Sequence, residues 1–235
     1  FMQVAMAGMV FDTLTEVGAD GTLRGELATH WKGSADARVW QFELRPGVTF
    51  HNDAPFTSAD VLASLALHRD TILSDVAHIE AVNAAKVTIT LTGSDPDFPY
   101  RLSAPQLVIY PAEHRAEAMA AGIGTGLYRV HKFLPGRQLI GERVDRHYKD
   151  DEAGWFDQVE LVSVPAEAVR AEALRDGYVD AVDLIDADLL EGVTDIALLP
   201  ETKQITCAAT KDLRMPQIVG TRAPPDTLRP AERWW

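Results

Sequence analysis

Val39-Trp40-Gln41-Phe42-Glu43-Leu44-Arg45-Pro46-Gly47-Val48-Thr49-Phe50-His51-Asn52-Asp53-Ala54-Pro55-Phe56-Thr57-Ser58-Ala59-Asp60-Val61 carries strand, turn and helix signals in one run. The alternation over Val39 to Leu44 puts Trp40, Phe42 and Leu44 on one face, the period of a half-buried strand. Arg45-Pro46-Gly47 supplies turn chemistry before Val48-Thr49-Phe50, which predicts a hairpin. Thr57 is positioned as an N-cap with Asp60 three residues on. The stripe Val61, Leu62, Leu65 behind it predicts a helix to about Arg69.

Working outward, Lys86 to Leu91 alternates again, with Val87, Ile89 and Leu91 inward, and Gly93-Ser94-Asp95-Pro96 stops it. Leu107 to Tyr110 reads as a further strand. Pro111 then suits a first helical turn, and the Ala/Glu-rich run to Ala121 ends at Gly122. Beyond Gly122 the texture changes. Tyr128 to Phe133 and Gln138 to Arg143 read as paired strands around Leu134-Pro135-Gly136. Gln158 to Val164 reads as a strand, Ala166 to Asp176 as a helix closed by Gly177, and Tyr178 to Leu184 as a return strand. Upstream, Phe11-Asp12-Thr13-Leu14 reads as a buried helix or strand. From Pro216 onward, Pro224-Pro225 and Trp234-Trp235 suggest an extended segment lying on the body. The pattern is a mixed α/β (α+β) fold without repeats.

The chain has 235 residues, 46% of them hydrophobic, enough to bury roughly 70% of its unfolded surface and to exclude disorder. Its 22 Lys+Arg against 35 Asp+Glu give a formal charge of −13, which would repel a phosphate backbone, so nucleic acid is excluded as an expected partner. The single cysteine, Cys207, can form no internal disulfide and supplies no multi-cysteine metal site. No stretch reaches the roughly 18 to 20 apolar residues of a membrane span. The opening, Phe1 to Phe11, lacks the basic start and small-residue cleavage site of a secretory signal, and a chain from which one had been removed would look the same, so Phe1 is treated as the start of a mature segment and the compartment is argued from elsewhere.

Gly122-Ile123-Gly124-Thr125-Gly126-Leu127 invites a phosphate-loop reading, but neither the dinucleotide fingerprint nor a Walker loop is complete. A flexible or positive-φ connection between two subdomains is the better reading. Seven histidines (30, 51, 68, 78, 114, 131 and 147) show no metal-binding spacing, and most read as surface or capping residues. Asp183, Asp186 and Asp188 lack the glycine and terminal Glu of a calcium loop, which leaves a strand end and a helix N-cap. There is no Gly-x-Ser-x-Gly elbow, and Asp150, Asp151 and Glu201 read as solvated charge rather than acid-base pairs. No metal, cofactor or catalytic residue is expected.

Met9 to Glu16, Gly25 to Trp31, Trp40 to Val61, Gly124 to Val130 and Ala173 to Ala181, taken in that order, resemble the family 5 extracellular solute-binding proteins. These are the peptide-, dipeptide- and nickel-binding components of ABC importers. Leu127 stands where the family usually has Pro, and Phe50-His51-Asn52-Asp53-Ala54-Pro55-Phe56 stands for Phe-His-Asp-Gly-x-Pro-Phe. Family members carry a further lobe after the stretch equivalent to Ala181 to Leu184, whereas about fifty residues follow Leu184 here. The resemblance thus implies one lobe of a periplasmic-binding-protein-like fold. Residues 1–28 and 123–235 would form its main subdomain and 29–122 a smaller inserted one, with the ligand-closing lobe absent.

Two-lobed binders trap a ligand between walls, so one wall alone should bind weakly, and a face built to be covered should dock a second copy or a partner. The resemblance implies periplasmic or extracytoplasmic capture of a peptide or other small solute for an ABC permease. Gln3, Gln106 and Thr125, polar groups in apolar settings, are the expected ligand-facing residues; in loops they could equally serve to satisfy backbone groups. An interaction or regulatory module that kept the fold and lost transport binding is the alternative, and a hydrolase on the same scaffold comes last.

Overall fold

The computed structural model describes residues 2–18, 21–150, 152–184, 186–193, 196–199 and 207–211. The described residues form four sheets, all antiparallel. Helix α1 (Met2–Val10) leads into a buried irregular stretch and a two-stranded ribbon, β1 (Thr15–Val17) with β2 (Leu23–Gly25). A four-stranded sheet follows from β3 (Ala28–Gly33), β4 (Val39–Leu44), β5 (Val76–Asn83) and β6 (Lys86–Leu91), in spatial order β3-β4-β6-β5. Helices α2 (Ser58–Leu65), α3 (Phe98–Arg101) and α4 (Arg115–Ala121) lie within and after it in the chain.

A meander of β7 (Tyr128–Leu134), β8 (Gln138–Arg143) and β9 (Gln158–Val162) comes next. Helix α5 (Glu167–Arg175) and strands β10 (Ala181–Leu184), β11 (Ile196–Leu199) and β12 (Cys207–Lys211) complete the described chain, with β12 central in the order β10-β12-β11.

The alternation in β4 does what its period demands. Trp40, Phe42 and Leu44 are buried and their neighbours exposed, and Phe42 meets Phe98 of α3 edge to face at 6.4 Å. The main core also takes Phe50, Phe56, Val61, Leu65, Val87 and Ile89, together with Leu14 and Leu27 from the N-terminal stretch. A second cluster gathers Met9, Val10, Tyr128 and Leu139 where α1 covers the β7-β8-β9 sheet.

Several local expectations are corrected. β4 is flanked by β3 and β6, not by a hairpin partner at Val48 to Phe50. That stretch folds on itself instead: Phe50 N–H donates to the Ala54 carbonyl at 2.9 Å and Phe56 N–H to the Val48 carbonyl at 3.0 Å, with Asp53 at φ +65° in the turn. Phe50, Asp53 and Phe56 therefore spend their backbone donors within the stretch, while the His51 N–H reaches out to the Gly124 carbonyl. Leu107 closes a 3-10 turn, Pro105–Leu107, and Val108 to Tyr110 join no sheet. α4 starts at Arg115 rather than near Pro111, because His114 before it is left-handed (φ 52°). The helix from Thr57 ends at Leu65, and a 3-10 turn, Ala66–His68, carries it toward Arg69. Pro216 to Trp235 lies outside the described residues.

Candidate functional site

The residues with the most unusual environments converge on Gly124-Thr125-Gly126. This crossing joins α4 to β7 and threads between the N-terminal stretch and the loop after β8. A Cβ built on Gly124 would stand 2.8 Å from the Val10 carbonyl carbon, and one on Gly126 2.7 Å from the same atom. Close approach of backbone to backbone is therefore why glycine is needed. Of Gly122, Gly124 and Gly126 only Gly122, at the α4 C-terminus, has positive φ (67°), so the expected positive-φ connection is confined to that residue.

Three side chains hold the crossing. The buried Thr125 hydroxyl donates to Asp12 Oδ2 at 2.9 Å. His147 Nε2 donates to the Thr125 carbonyl at 2.8 Å while its Nδ1 accepts the Lys149 N–H at 3.1 Å. His51 Nε2 donates to the Gly126 carbonyl at 2.8 Å, and its Nδ1 faces the Gly124 N–H at 3.4 Å. A nitrogen that accepts a backbone N–H carries no proton, so these contacts assign both rings to the neutral Nε2–H tautomer. Burial in turn lowers the His51 pKa below its ordinary value.

Beneath the crossing lies a buried ionic cluster. Lys149 Nζ donates to Glu16 Oε2 at 2.9 Å and to Glu26 Oε1, and its side chain is only 9% exposed. Glu26 Oε2 also accepts the Thr13 N–H at 2.8 Å. The Thr13 hydroxyl has one hydrogen but two oxygen neighbours, the Thr15 carbonyl at 2.6 Å and Glu26 Oε2 at 2.8 Å. A carbonyl can only accept, so the second contact is satisfied when Glu26 carries a proton. Burial raises the Glu26 pKa to about 8; Lys149 opposes the shift, and the Asp12 and Glu16 charges add to it.

Burial also works against charge on Asp12, but the His147 ring, 3.7 Å away, and the Lys149 ammonium overcome it and hold that carboxyl well below its usual range. Burial opposes charge on Lys149 too, yet Glu26, Asp12 and Glu16 keep it protonated. Tyr148 roofs the cluster, its ring 4.1 Å from that of His147 and 4.5 Å from the Arg45 guanidinium carbon. Burial, then the Asp12 and Glu26 charges, keep its phenol neutral.

Of the residues expected to face a ligand, Thr125 is buried with its hydroxyl committed to Asp12. Gln106 is exposed on the 3-10 turn Pro105–Leu107, and the side chain of Gln3 lies outside the described ones. Helix α1, which carries Gln3, packs against the turn that carries Gln106. Asp186 caps the 3-10 turn Ala187–Leu190 by accepting the Asp188 N–H at 3.0 Å, and Asp183, one residue before the end of β10, pairs with Arg170 at 3.3 Å. Among the described residues no group of three or more His, Cys, Asp or Glu is placed to hold a metal ion, and no helix is long and apolar enough to cross a membrane.

Comparison with known proteins agrees with this architecture. The chain belongs to the bacterial extracellular solute-binding proteins, family 5 Middle, whose model matches residues 22–206. Among solved structures it is similar to the PBP AgaA of A. tumefacien R10 in complex with agropinic acid, at 30% identity and a TM-score of 0.75, covering 84% of this chain and 43% of that one. It is also similar to NikA of Brucella suis in complex with Fe(III)-EDTA, at 25% identity and a TM-score of 0.72, covering 83% and 44%. Among curated proteins it is 32% identical over 139 residues to the HTH-type transcriptional regulator SgrR of Salmonella typhi, covering 57% of this chain and 25% of that protein. The chain thus spans about a quarter of the curated relative and under half of each solved one.

Proposed function

We propose that this chain is a non-enzymatic solute-binding lobe of the kind that serves an ABC transporter, capturing a peptide or another small polar solute outside the cytoplasm without covalent chemistry. The carrying observation is the family match over residues 22–206, supported by the shared fold of relatives holding agropinic acid and Fe(III)-EDTA. In this reading residues 1–28 with 123–235 form the main subdomain and 29–122 the inserted one. Gln3 and Gln106 touch solute, while Thr125 acts from beneath by pinning its loop to Asp12. One lobe offers one wall of a cleft, so the facing wall comes from elsewhere in a longer chain, from a second copy or from the permease, and the lobe alone binds weakly.

Calorimetric titration of the chain with a mixed di- and tripeptide library, with agropinic acid and with Ni(II) tests this. Saturable heat with any of them is expected, with a Kd in the high-micromolar to millimolar range, about −4 to −6 kcal/mol. Absence of heat and of any thermal shift across the set would remove the solute reading. The match to SgrR supports a second reading, in which the fold serves a regulator and the solute is a signal rather than cargo. Permease genes beside the coding sequence favour import, and their absence favours the regulator.

A further inference from the structure

Gly124-Thr125-Gly126 is held from opposite sides by groups whose bonding depends on protonation. On one side His51 engages the crossing through its backbone N–H, which donates to the Gly124 carbonyl at 2.9 Å, and through both ring nitrogens. On the other, Gly126 N–H donates to the Val10 carbonyl at 3.0 Å, Thr125 donates to Asp12, and His147 donates to the Thr125 carbonyl. Neither ring has a free nitrogen. A second proton would arrive at Nδ1, facing the Gly124 N–H in His51 and the Lys149 N–H in His147, donor against donor.

We propose that His51 and His147 form a proton-operated clasp: with both rings neutral the crossing is clamped between the 48–56 turn and the N-terminal stretch, and protonation of His51 unfastens it from the 48–56 turn in acid.

The surrounding charges make His51 the trigger. The titratable groups facing it are Asp12 and His147, and Asp12 is already engaged by Thr125 and by the side of His147. His147 is faced by Asp12, by the Lys149 ammonium, and by Asp150, which accepts the His147 N–H at 3.0 Å and is itself held by Arg143. Glu16 and Glu26 reach this group through Lys149, and Arg45 through Tyr148. Protonating His51 thus breaks a bond with no carboxylate free to compensate. The lowered His51 pKa agrees in sign. A histidine titrating lower when closed than the ordinary 6.5 contributes stability that is complete above that pH and is lost as pH falls. The clasp operates whether or not a solute binds, so its test is separate from the titration above.

The test is amide hydrogen exchange on the whole chain by NMR from pH 7.5 to 5, corrected for intrinsic exchange, with long-range 1H–15N spectra of the histidine rings. Both rings should be neutral Nε2–H tautomers at pH 7.5. Protection of the Gly124 and Gly126 amides should fall by up to about tenfold per pH unit below 6.5, while amides of β4 and β6 stay protected. In His51→Gln, which cannot titrate, that fall should flatten. Constant protection at both glycines, a fall shared by β4 and β6, or an Nδ1–H or doubly protonated ring at pH 7.5 would each overturn the clasp. So would a His51→Gln variant that keeps the full pH dependence; if that variant does not fold, the wild-type spectra decide alone.

Discussion

Replacing Lys149 by Met asks how much of the fold rests on one buried ammonium. Lys149 and Glu26 have side chains only 9% exposed, Glu16 is 29% exposed, and the ammonium lies 2.9 Å from Glu16 and in contact with Glu26. With Glu26 protonated below about 8, the charged partner at pH 7 is Glu16, and a unit pair about 4 Å apart in a medium of effective dielectric near 20 attracts by about 4 kcal/mol, much of it offset by desolvation. Removing one partner leaves that desolvation uncompensated, a change that costs about 3–5 kcal/mol. For a chain of this size the melting temperature should drop by about 6–20 °C.

Urea unfolding followed by tryptophan fluorescence at pH 5, 7 and 8.5 measures both the loss and its sign. Without the ammonium the folded-state carboxyls titrate higher than in the unfolded chain, so the deficit should shrink as pH falls toward their ordinary range. Glu26→Gln provides the contrast. The carboxyl, pushed up to about 8 from an ordinary 4.5, contributes stability that is complete below 4.5 and is lost as pH rises through 8. The uncharged amide should therefore cost less at pH 8.5 than at pH 5. A Lys149→Met loss below about 1 kcal/mol at pH 7 would mean the ammonium is solvated, and the account of the cluster would fail.

Gly124→Ala should destabilise by about 1–3 kcal/mol or prevent folding, because the new Cβ meets the Val10 carbonyl carbon at 2.8 Å and Phe11 Cδ1 at 2.5 Å; the urea midpoint reads it. Arg101→Lys keeps the charge but loses the fork that reaches Asp75 at 2.6 and 2.7 Å, Asp95 at 2.7 Å and the Ile72 carbonyl at 2.8 Å. Asp75 is partly solvated, so a loss near 1 kcal/mol is expected by the same measurement, and a variant as stable as wild type would show that charge alone suffices. Asp60→Ala removes the acceptor for the Thr57 and Ala112 N–H groups, each at 2.7 Å, and should cost about 1–2 kcal/mol of thermal stability, with greater exchange at the start of α2.

The parts of the fold that were legible in the sequence are those set by periods of a few residues. Trp40, Phe42 and Leu44 announce a strand, Thr57 with Asp60 announces the start of α2, and Leu134-Pro135-Gly136 announces the turn between β7 and β8; each is decided by neighbours. The partner of β4 is not. Its flanking strands are Ala28–Gly33 and Lys86–Leu91, and a turn signal at Arg45-Pro46-Gly47 cannot tell a hairpin return from a loop that satisfies its own donors. Likewise, nothing between Pro111 and Arg115 signals that His114 will adopt the left-handed conformation that delays α4.

The clasp was hidden for a related reason, and the way it was hidden bears on what the glycines are for. Asp12 and Thr125 are 113 residues apart, Lys149 and Glu26 123, so no spacing rule could join them. What did register was Gly-Thr-Gly as a joint, read as a place where backbone torsion must be free. The structure gives those glycines a different cause. Gly124 and Gly126 are needed because the Val10 backbone passes where their Cβ atoms would be, and that same closeness puts the Thr125 hydroxyl against Asp12 and the carbonyls of Thr125 and Gly126 against two imidazoles. A freely swivelling joint would need no such clamps. A tight crossing that must sometimes open does, because close packing alone offers no variable by which the solution could release it, and an imidazole ring does.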